Sequence, residues 1–464
     1  MGAIVRTELG GSAASGPGQP LIDIVHMSDM HVLDAGSPAR GEWVELEAHD
    51  PLFRPLLHMH RPYDAVALHA LQAHIQAIRD DDRGSDLVVS TGDNIDNGQR
   101  NELDAYLAIL SGGEAQLSAA GSAQDASTDA FDEPWPYWCP DPAVPDAWRE
   151  RGYPAVDDFV ARASAPIVCA GLGVPWTSVP GNHDLMRQGT ALDTAALAAI
   201  AVGGAKSLHR PTGFSPADPL SLFLDEPEAF SSGPTFAITA DPNRRIVDRT
   251  EWISAHRAFG ALGFEPGSGD DSIDRIIDTE HVRFVLLDTN HPAGDYQGSV
   301  GVEQLEWLEA RLTEVDVEQS PRVVVLVSHH GTDSLVNERK PNAERRLADA
   351  VNTVVHRHPC VVAWLLGHRH INRIEPRPGE SGGFWEITTC STIDWPSETR
   401  RVALSRQSDG AIEITCTMQR HDAEPDSLAG VHLDLAKCFT GPRAAERMAG
   451  RDEDRDVLLV LPPR

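Results

Sequence analysis

Short runs of apolar, mostly β-branched residues recur along the chain, and most of them end in a polar cluster. Residues 21–25 lead to Ser-Asp-Met-His, 86–90 to Thr-Gly-Asp-Asn, 174–179 to Pro-Gly-Asn-His-Asp, 282–287 to Asp-Thr-Asn-His, 323–327 to Ser-His-His-Gly and 361–366 to Gly-His-Arg-His. Runs of this length, bounded by turn formers, predict strands buried on both faces. Between them apolar residues return at helical spacing over 65–78, 302–312 and 343–356, so strands and helices alternate as in an α/β fold. Two later stretches, 384–389 and 411–418, alternate apolar and polar residues and predict strands at an edge or on a half-exposed sheet. Strand ends of open α/β sheets gather at one edge, so the polar clusters are expected to meet in space.

Stretches of different composition interrupt this pattern. The first 19 residues, rich in Gly, Ser, Ala and Pro, read as a flexible leader. Residues 20–420 read as one domain with inserts at about 101–172 and 185–280, long enough to be lids or inserted subdomains that cap it. The first insert carries an aromatic knot, with Trp135, Tyr137 and Trp138 among prolines, whose expected role is to pin the loop to its own domain. Residues 421–464 read as a C-terminal extension whose last apolar run predicts an edge strand.

Charge narrows the partners. The chain has 39 basic and 70 acidic residues, a formal net charge of −31, which repels polyanions and anionic membrane surfaces at long range. Nucleic acid is therefore not expected as a partner. No stretch reaches the roughly 18 uninterrupted apolar residues of a membrane helix, and the N-terminal sequence has neither a secretory nor a twin-arginine pattern. A cytoplasmic protein is expected. The six cysteines are widely spaced, without a Cys-x-x-Cys pair, and read as buried thiols.

The polar clusters hold Asp29 and His31, Asp93, Asn182 with His183 and Asp184, His329 and His330, and His368 with His370. Each alone is weak, but the ordered set is a strong signal. On an extended strand residues i and i+2 face one side, so Asp29 with His31, and His368 with His370, are each expected to present two ligand atoms to one place. Carboxylate, imidazole and carboxamide without thiolate suit Mn²⁺, Fe²⁺, Zn²⁺ or Ni²⁺. By contrast His58 and His60, in a loop among Pro and Met, are not expected to bind metal.

The ordered series Asp-x-His, Gly-Asp-Asn, Gly-Asn-His-Asp, His and Gly-His-x-His resembles the calcineurin-like metallophosphoesterases, and the long spacers resemble actinobacterial-type members with inserts between motifs. The resemblance implies two mixed β-sheets packed as a sandwich, flanked by helices, with two divalent ions at one sheet edge. Carried over by motif, Asp29, His31 and His370 hold one ion, Asn182, His329 and His368 the other, and Asp93 bridges them. His329 is favoured over its neighbour His330 because it sits closer to the strand end. His183 matches the catalytic histidine, with Asp96 or Asp184 orienting it. The implied activity is hydrolysis of a small-molecule phosphoric monoester or diester by a hydroxide bridging two metals. The alternative is a non-catalytic, metal-stabilised protein-binding module on the same fold. Phosphoprotein phosphatases place a phosphate-gripping Arg where this chain has Asn97, and purple acid phosphatases place a Tyr ligand where it has Ile95 to Asn97, so neither subgroup is expected.

Overall fold

In a computed structural model of the chain, residues 4–464 are described apart from 15, 58–59, 118–136, 145, 147, 265–271, 319–321, 341–343 and 381. Thirteen strands build two large sheets: β1 (Ile4–Arg6), β2 (Gln19–Met27), β3 (Leu87–Ser90), β4 (Trp176–Ser178), β5 (Arg275–Asp278), β6 (Val282–Leu286), β7 (Val323–Val327), β8 (Val361–Leu366), β9 (Arg373–Arg377), β10 (Phe384–Thr388), β11 (Thr399–Arg406), β12 (Ile412–Gln419) and β13 (Val457–Leu461). The first sheet runs β1-β13-β12-β11-β2-β3-β4 and the second β9-β10-β8-β7-β6-β5. Both are mixed: β2, β3 and β4 pair in parallel, as do β6, β7, β8 and β10, while β11, β12 and β9 run antiparallel to their neighbours.

The inner faces meet in one apolar core. Ile24, Val89, Leu404, Ile414 and Leu459 of the first sheet pack with Phe284, Val325, Leu365, Trp385 and Ile387 of the second. Outside the first sheet, Val25, Met27 and Val88 pack against α1 (Ala67–Arg79), α2 (Arg100–Ser111) and α3 (Arg249–Ala258). Outside the second, Val285, Val324, Leu326 and Trp364 pack against α4 (Val302–Asp316) and α5 (Ala348–Val355). The result is a helix–sheet–sheet–helix sandwich, in which the buried strands carry apolar residues on both faces because each face meets another layer. A last helix, α6 (Leu428–Ala449), turns at Gly441 (φ 68°), just before Pro442.

Several elements differ from the expectation. The strand at 384–388 is fully buried and lies between β9 and β8 rather than at an edge; its polar Glu386 is paired to Arg377. β13 lies between β12 and β1, so the outermost strand of that sheet is Ile4–Arg6, within the stretch expected as a flexible leader. Parts of the expected inserts belong to the core: α2 buries Leu103, Tyr106, Leu107 and Leu110, and β5 extends the second sheet. The aromatic knot is pinned, Trp138 packing on Phe159 with its indole N–H on the Pro154 carbonyl, and the Tyr137 hydroxyl donating to the Leu208 carbonyl. Trp135 and His58 lie outside the described residues. His60 packs edge-on against Tyr137. All six cysteines are free thiols, and no helix among the described residues is long and apolar enough to cross a membrane.

The C-terminal strand gives a direct test of this layering. Leu459→Ala empties a fully buried position between the sheets and is expected to lower the unfolding free energy by about 2–5 kcal/mol, read as a lower urea midpoint. A loss below about 1 kcal/mol would show that the strand is peripheral to the core.

Candidate metal centre

The parallel strands β2, β3, β4, β7 and β8 all deliver their C-terminal ends to one edge of the sandwich, and the polar clusters follow them there. The loops are stitched to one another across the two sheets. In the first sheet the main-chain N–H groups of Asp29 and His31 donate to the Gly92 and Asp93 carbonyls at 2.9 Å. From the second, the N–H of His368 donates to the Asp29 carboxylate at 3.1 Å, and the Ser391 hydroxyl donates to the Asp29 carbonyl at 2.7 Å.

The convergence of the i, i+2 pairs has a different origin from strand pleating. β2 ends at Met27 and β8 at Leu366, and Asp29 (φ 54°), His31 (φ 44°), Asp93 (φ 49°), His368 (φ 68°) and His370 (φ 52°) are all left-handed. Side chains other than Gly adopt this region seldom, Asp and His more readily than most. Gly92 shares it with φ 99°, and a Cβ there would lie 2.4 Å from the Gly181 nitrogen. The loops therefore approach backbone to backbone, which a side chain at Gly92 would block.

Four histidines are held in the same way. His31 Nδ1 faces the Asp96 carboxylate at 2.9 Å, His370 Nδ1 faces Asp394 at 2.5 Å, His329 Nδ1 faces the Thr91 carbonyl at 2.8 Å, and His183 Nδ1 faces the Asp96 carbonyl at 2.8 Å. In each ring Nδ1–H is the donor and Nε2 is left for the site, the arrangement that orients metal-binding and catalytic imidazoles. His31 Nε2 and His370 Nε2 lie 3.3 Å apart, and His370 Nε2 is 3.2 Å from Asp29. His329 Nε2 is 3.0 Å from the Asn182 side-chain oxygen, whose own amide N–H₂ is spent on the Gly189 carbonyl. Asp93 stands between the two groups, with Oδ2 at 3.1 Å from His329 Nε2 and 3.7 Å from His31 Nε2.

His329 and His330 are partnered differently. The His330 ring also lies beside His329 and His368. Its Nε2, however, donates to the Tyr296 carbonyl at 3.1 Å and its Nδ1 accepts from the Thr289 hydroxyl at 2.9 Å, so both nitrogens are engaged away from Asp93. Asp96 and Asp184 are partnered differently as well. Asp184, expected as a partner for His183, is instead a clamp between loops: its buried carboxylate accepts from the N–H groups of Gly181, Asn94 and Ile95 and from the Asn94 amide. Asp96 approaches His183 Nδ1 to 3.3 Å with its carboxylate and to 2.8 Å with its carbonyl.

Burial and crowded charge set the protonation of the cluster. Burial alone would lower the His329 pKa, but the Asp93 and Asp29 carboxylates outweigh it and hold it at about 9; Asp29 and Asp394 likewise raise His370 to about 10. Burial and the neighbouring His183 lower His31 to about 4. Asp93 and Asp96 are driven well below the usual carboxylate range, in spite of burial, by the histidines around them and, for Asp96, by Arg40.

Residues with no spacing signal complete the site. Arg40, fully buried, pairs with Asp96, Asp64 and Glu42. Tyr63 donates to Asp394, and Arg61 Nε lies 3.2 Å from the same carboxylate. Asp394 belongs to the Thr-Ile-Asp-Trp turn after β10, which by sequence is as consistent with a sheet-end turn as with a site rim; the other three lie in the loop after His31. Above the cluster opens a cleft of about 790 Å³ whose walls include Arg54, Arg61, Tyr296, Arg369, Phe439 and Arg447. Phe439 and Arg447 come from the two sides of the turn in α6.

The donor set fits divalent metal. Asp29, His31, Asp93 and His370 offer atoms within 4.8 Å of one another, as do His329, His330 and His368. All are oxygen or imidazole donors, and the rings of His31, His329 and His370 already carry their outer hydrogen bonds through Nδ1.

Three comparisons with known proteins found similar sequences or folds. A manganese-dependent ADP-ribose/CDP-alcohol diphosphatase of Xenopus tropicalis is 30% identical over 126 residues, which make up 26% of this chain and 31% of that protein's length. A crystal structure of a dimetal phosphatase from Danio rerio aligns with 16% identity and a TM-score of 0.39, covering 87% of this chain and 97% of that one. The family model described as calcineurin-like phosphoesterase matches residues 22–372, a span that takes in every cluster from Asp29 to His370. The chain belongs to the calcineurin-like phosphoesterase family.

Proposed function

We propose that the protein hydrolyses small phosphoric esters with two divalent ions, one held by Asp29, His31 and His370, the other by Asn182, His329 and His368, with Asp93 shared between them. The observation that supports this reading most directly is the position of Asp93 Oδ2 between His329 Nε2 and His31 Nε2, with the ring nitrogens on both sides anchored through Nδ1. Bound there, such a pair would lower the pKa of water toward neutrality and supply positive charge for the phosphoryl oxygens. Mn²⁺, Fe²⁺, Zn²⁺ and Ni²⁺ all suit the donors. Mn²⁺ is the first to try, because the Xenopus relative is manganese-dependent by name, and that name also puts diphosphates among the substrates to test.

The chain's own residues supply the rest. His183 has its main-chain N–H on Asp93 Oδ1 at 2.8 Å, which fixes it beside the shared carboxylate, and its Nδ1–H on Asp96. Burial lowers the His183 pKa, but the Asp93 and Asp96 charges outweigh it and raise it overall, which favours the protonated ring that a donor to the departing alkoxide needs. Asp96, braced by Arg40, orients both His183 and His31. Gly189 backs this arrangement closely, its φ being 65° and its hypothetical Cβ only 2.2 Å from the His183 ring.

Turnover of p-nitrophenyl phosphate and bis-p-nitrophenyl phosphate by the purified chain, after chelation and after adding back each metal, tests the reading. Metal-restored hydrolysis is expected, falling by about 10²- to 10⁴-fold in His183→Ala with bound metal retained. Silence on both esters and on a diphosphate, with metal bound, would favour the non-catalytic binding module. Protonation gives a second check. The free cluster at pH 7 carries protons on His329 and His370, whose raised pKa values lie above that pH. Metal must displace them, so calorimetry in buffers of different ionisation enthalpy is expected to show release of roughly two protons, with affinity rising between pH 6 and pH 8. Binding without proton release would place the metal elsewhere.

A further inference from the structure

The cleft above the cluster, about 790 Å³, is far larger than a phosphoryl group and falls in the range that holds a ligand with a sizeable organic part. Its floor is polar, but much of its wall away from the motif loops is not. Pro51, Pro55 and Leu57 line it from the loop after His31, and Phe439, Ala444 and Met448 line it from α6. All six keep some exposure to solvent. Apolar side chains left wet inside a concave site are where a ligand gains most from burial. The α6 wall is fixed rather than free to swing. Phe439 stacks on Trp148 with ring centroids 6.4 Å apart and meets the Tyr63 ring edge-on at 5.8 Å. Tyr63 in turn is the donor to Asp394, behind His370. Before Phe439, Leu428, Val431 and Leu435 are buried in one cluster with Tyr63, Trp138 and Phe159. Past the turn at Gly441, the Asn372 N–H donates to the Met448 carbonyl at 3.0 Å and Arg455 Nη1 donates to the Ala449 carbonyl at 2.7 Å. Asn372 lies two residues after His370, so both halves of α6 are tied to loops that carry the donor set.

We propose that α6 and the 51–57 segment form a preformed pocket for the organic group of the phosphoester, and that the group it selects is apolar, an aryl or alkyl alcohol, in preference to a small or polyhydroxylated one. This rests on the phosphoester reading above, which puts the phosphoryl group at the donor set and leaves the rest of the molecule in the cleft. A sugar or glycerol group carries hydroxyls that need partners once water is displaced, and the six side chains offer none. An aryl or branched alkyl group needs only contact. Phe439, packed on both Trp148 and Tyr63, supplies a ring that is already ordered, so little side-chain entropy is lost when a ligand meets it. A wall with only a structural role, packing the first insert onto the fold, would instead be indifferent to the organic group.

Binding of three non-hydrolysable phosphonates to the Mn²⁺-loaded full chain, read by calorimetry, separates the two roles without requiring turnover. Phenylphosphonate is expected to bind about tenfold or more tighter than methylphosphonate and dihydroxypropylphosphonate. In Phe439→Ala its dissociation constant is expected to rise by about fivefold or more, while those of the other two change by about twofold or less. Ala444→Trp fills the cleft and leaves Phe439 in place. Should the Phe439 variant fail to fold, a loss of about fivefold or more for phenylphosphonate in the Ala444 variant, against about twofold or less for methylphosphonate, carries the same conclusion. Equal affinity of the wild-type chain for all three, a preference for the dihydroxypropyl compound, a uniform loss across the three in the variants, or no binding of any phosphonate would overturn the proposal. A chain that turns over nitrophenyl esters without the phenyl preference would fail only the pocket assignment; one that shows the preference, and loses it in the variants, but hydrolyses no ester would fail the catalytic reading alone.

Discussion

The structure depends on holding Asp29, Asp93, Asp96, Asp184 and Asp394 together at one edge of a sandwich, nearly free of solvent. Like charges this close repel strongly once water is excluded, so every one of them needs a specific counterpart. The counterparts are of three kinds. Asp184 is surrounded by main-chain and amide N–H groups and joins the loops. Asp96 and Asp394 face arginines that are themselves buried. Asp29 and Asp93 face imidazoles and a main-chain N–H apiece, and the imidazole protons are a provisional balance that divalent metal can replace. Of the four carboxylates that face rings or arginines, the two without an arginine are thus the ones proposed to hold metal.

This constraint accounts for the backbone. Bringing five charged or ionisable residues into left-handed conformations costs about 1–3 kcal/mol each, a strain that persists only where surrounding contacts over-determine it. Here they do: the first-sheet loops hydrogen-bond to each other, the Gly367 N–H reaches the His329 carbonyl, and the Thr392 N–H reaches the Ser28 carbonyl. The two sheets are therefore held in register at the site edge as well as through their apolar faces, and the ligand positions inherit the rigidity of the sandwich.

What was legible in the sequence was whatever repeats locally. Buried strands such as 323–327 and 361–366 announce themselves as unbroken apolar runs because both faces are covered, and the helix over 302–316 shows its period. The polar clusters were legible because the family's motif keeps them next to the strand ends. The strand at 384–388 was misplaced to an edge because its alternation comes from Glu386, which finds Arg377 inside the protein instead of water. The strand at 399–406 was missed because its arginines interrupt the apolar pattern; Arg400 is fully buried and bonded to Thr389 and Asn372. Arg40, Arg61 and Tyr63 left no trace at all, since a buried ion-pair network is made of long-range pairings with no fixed spacing.

The same distinction between local and long-range charge bears on what reaches the site. A net charge of −31 repels an extended polyanion along the whole of its length. At physiological salt, however, exposed charges are screened beyond about 8 Å, so a small phosphoester at the cleft mouth experiences chiefly the groups that line it. Those include Arg54, Arg61, Arg369 and Arg447, against Asp93 and Asp394 as the acidic lining residues. On the proposed reading, a compact anion would have to satisfy only the cleft, whereas a polymer would also meet the acidic remainder of the surface.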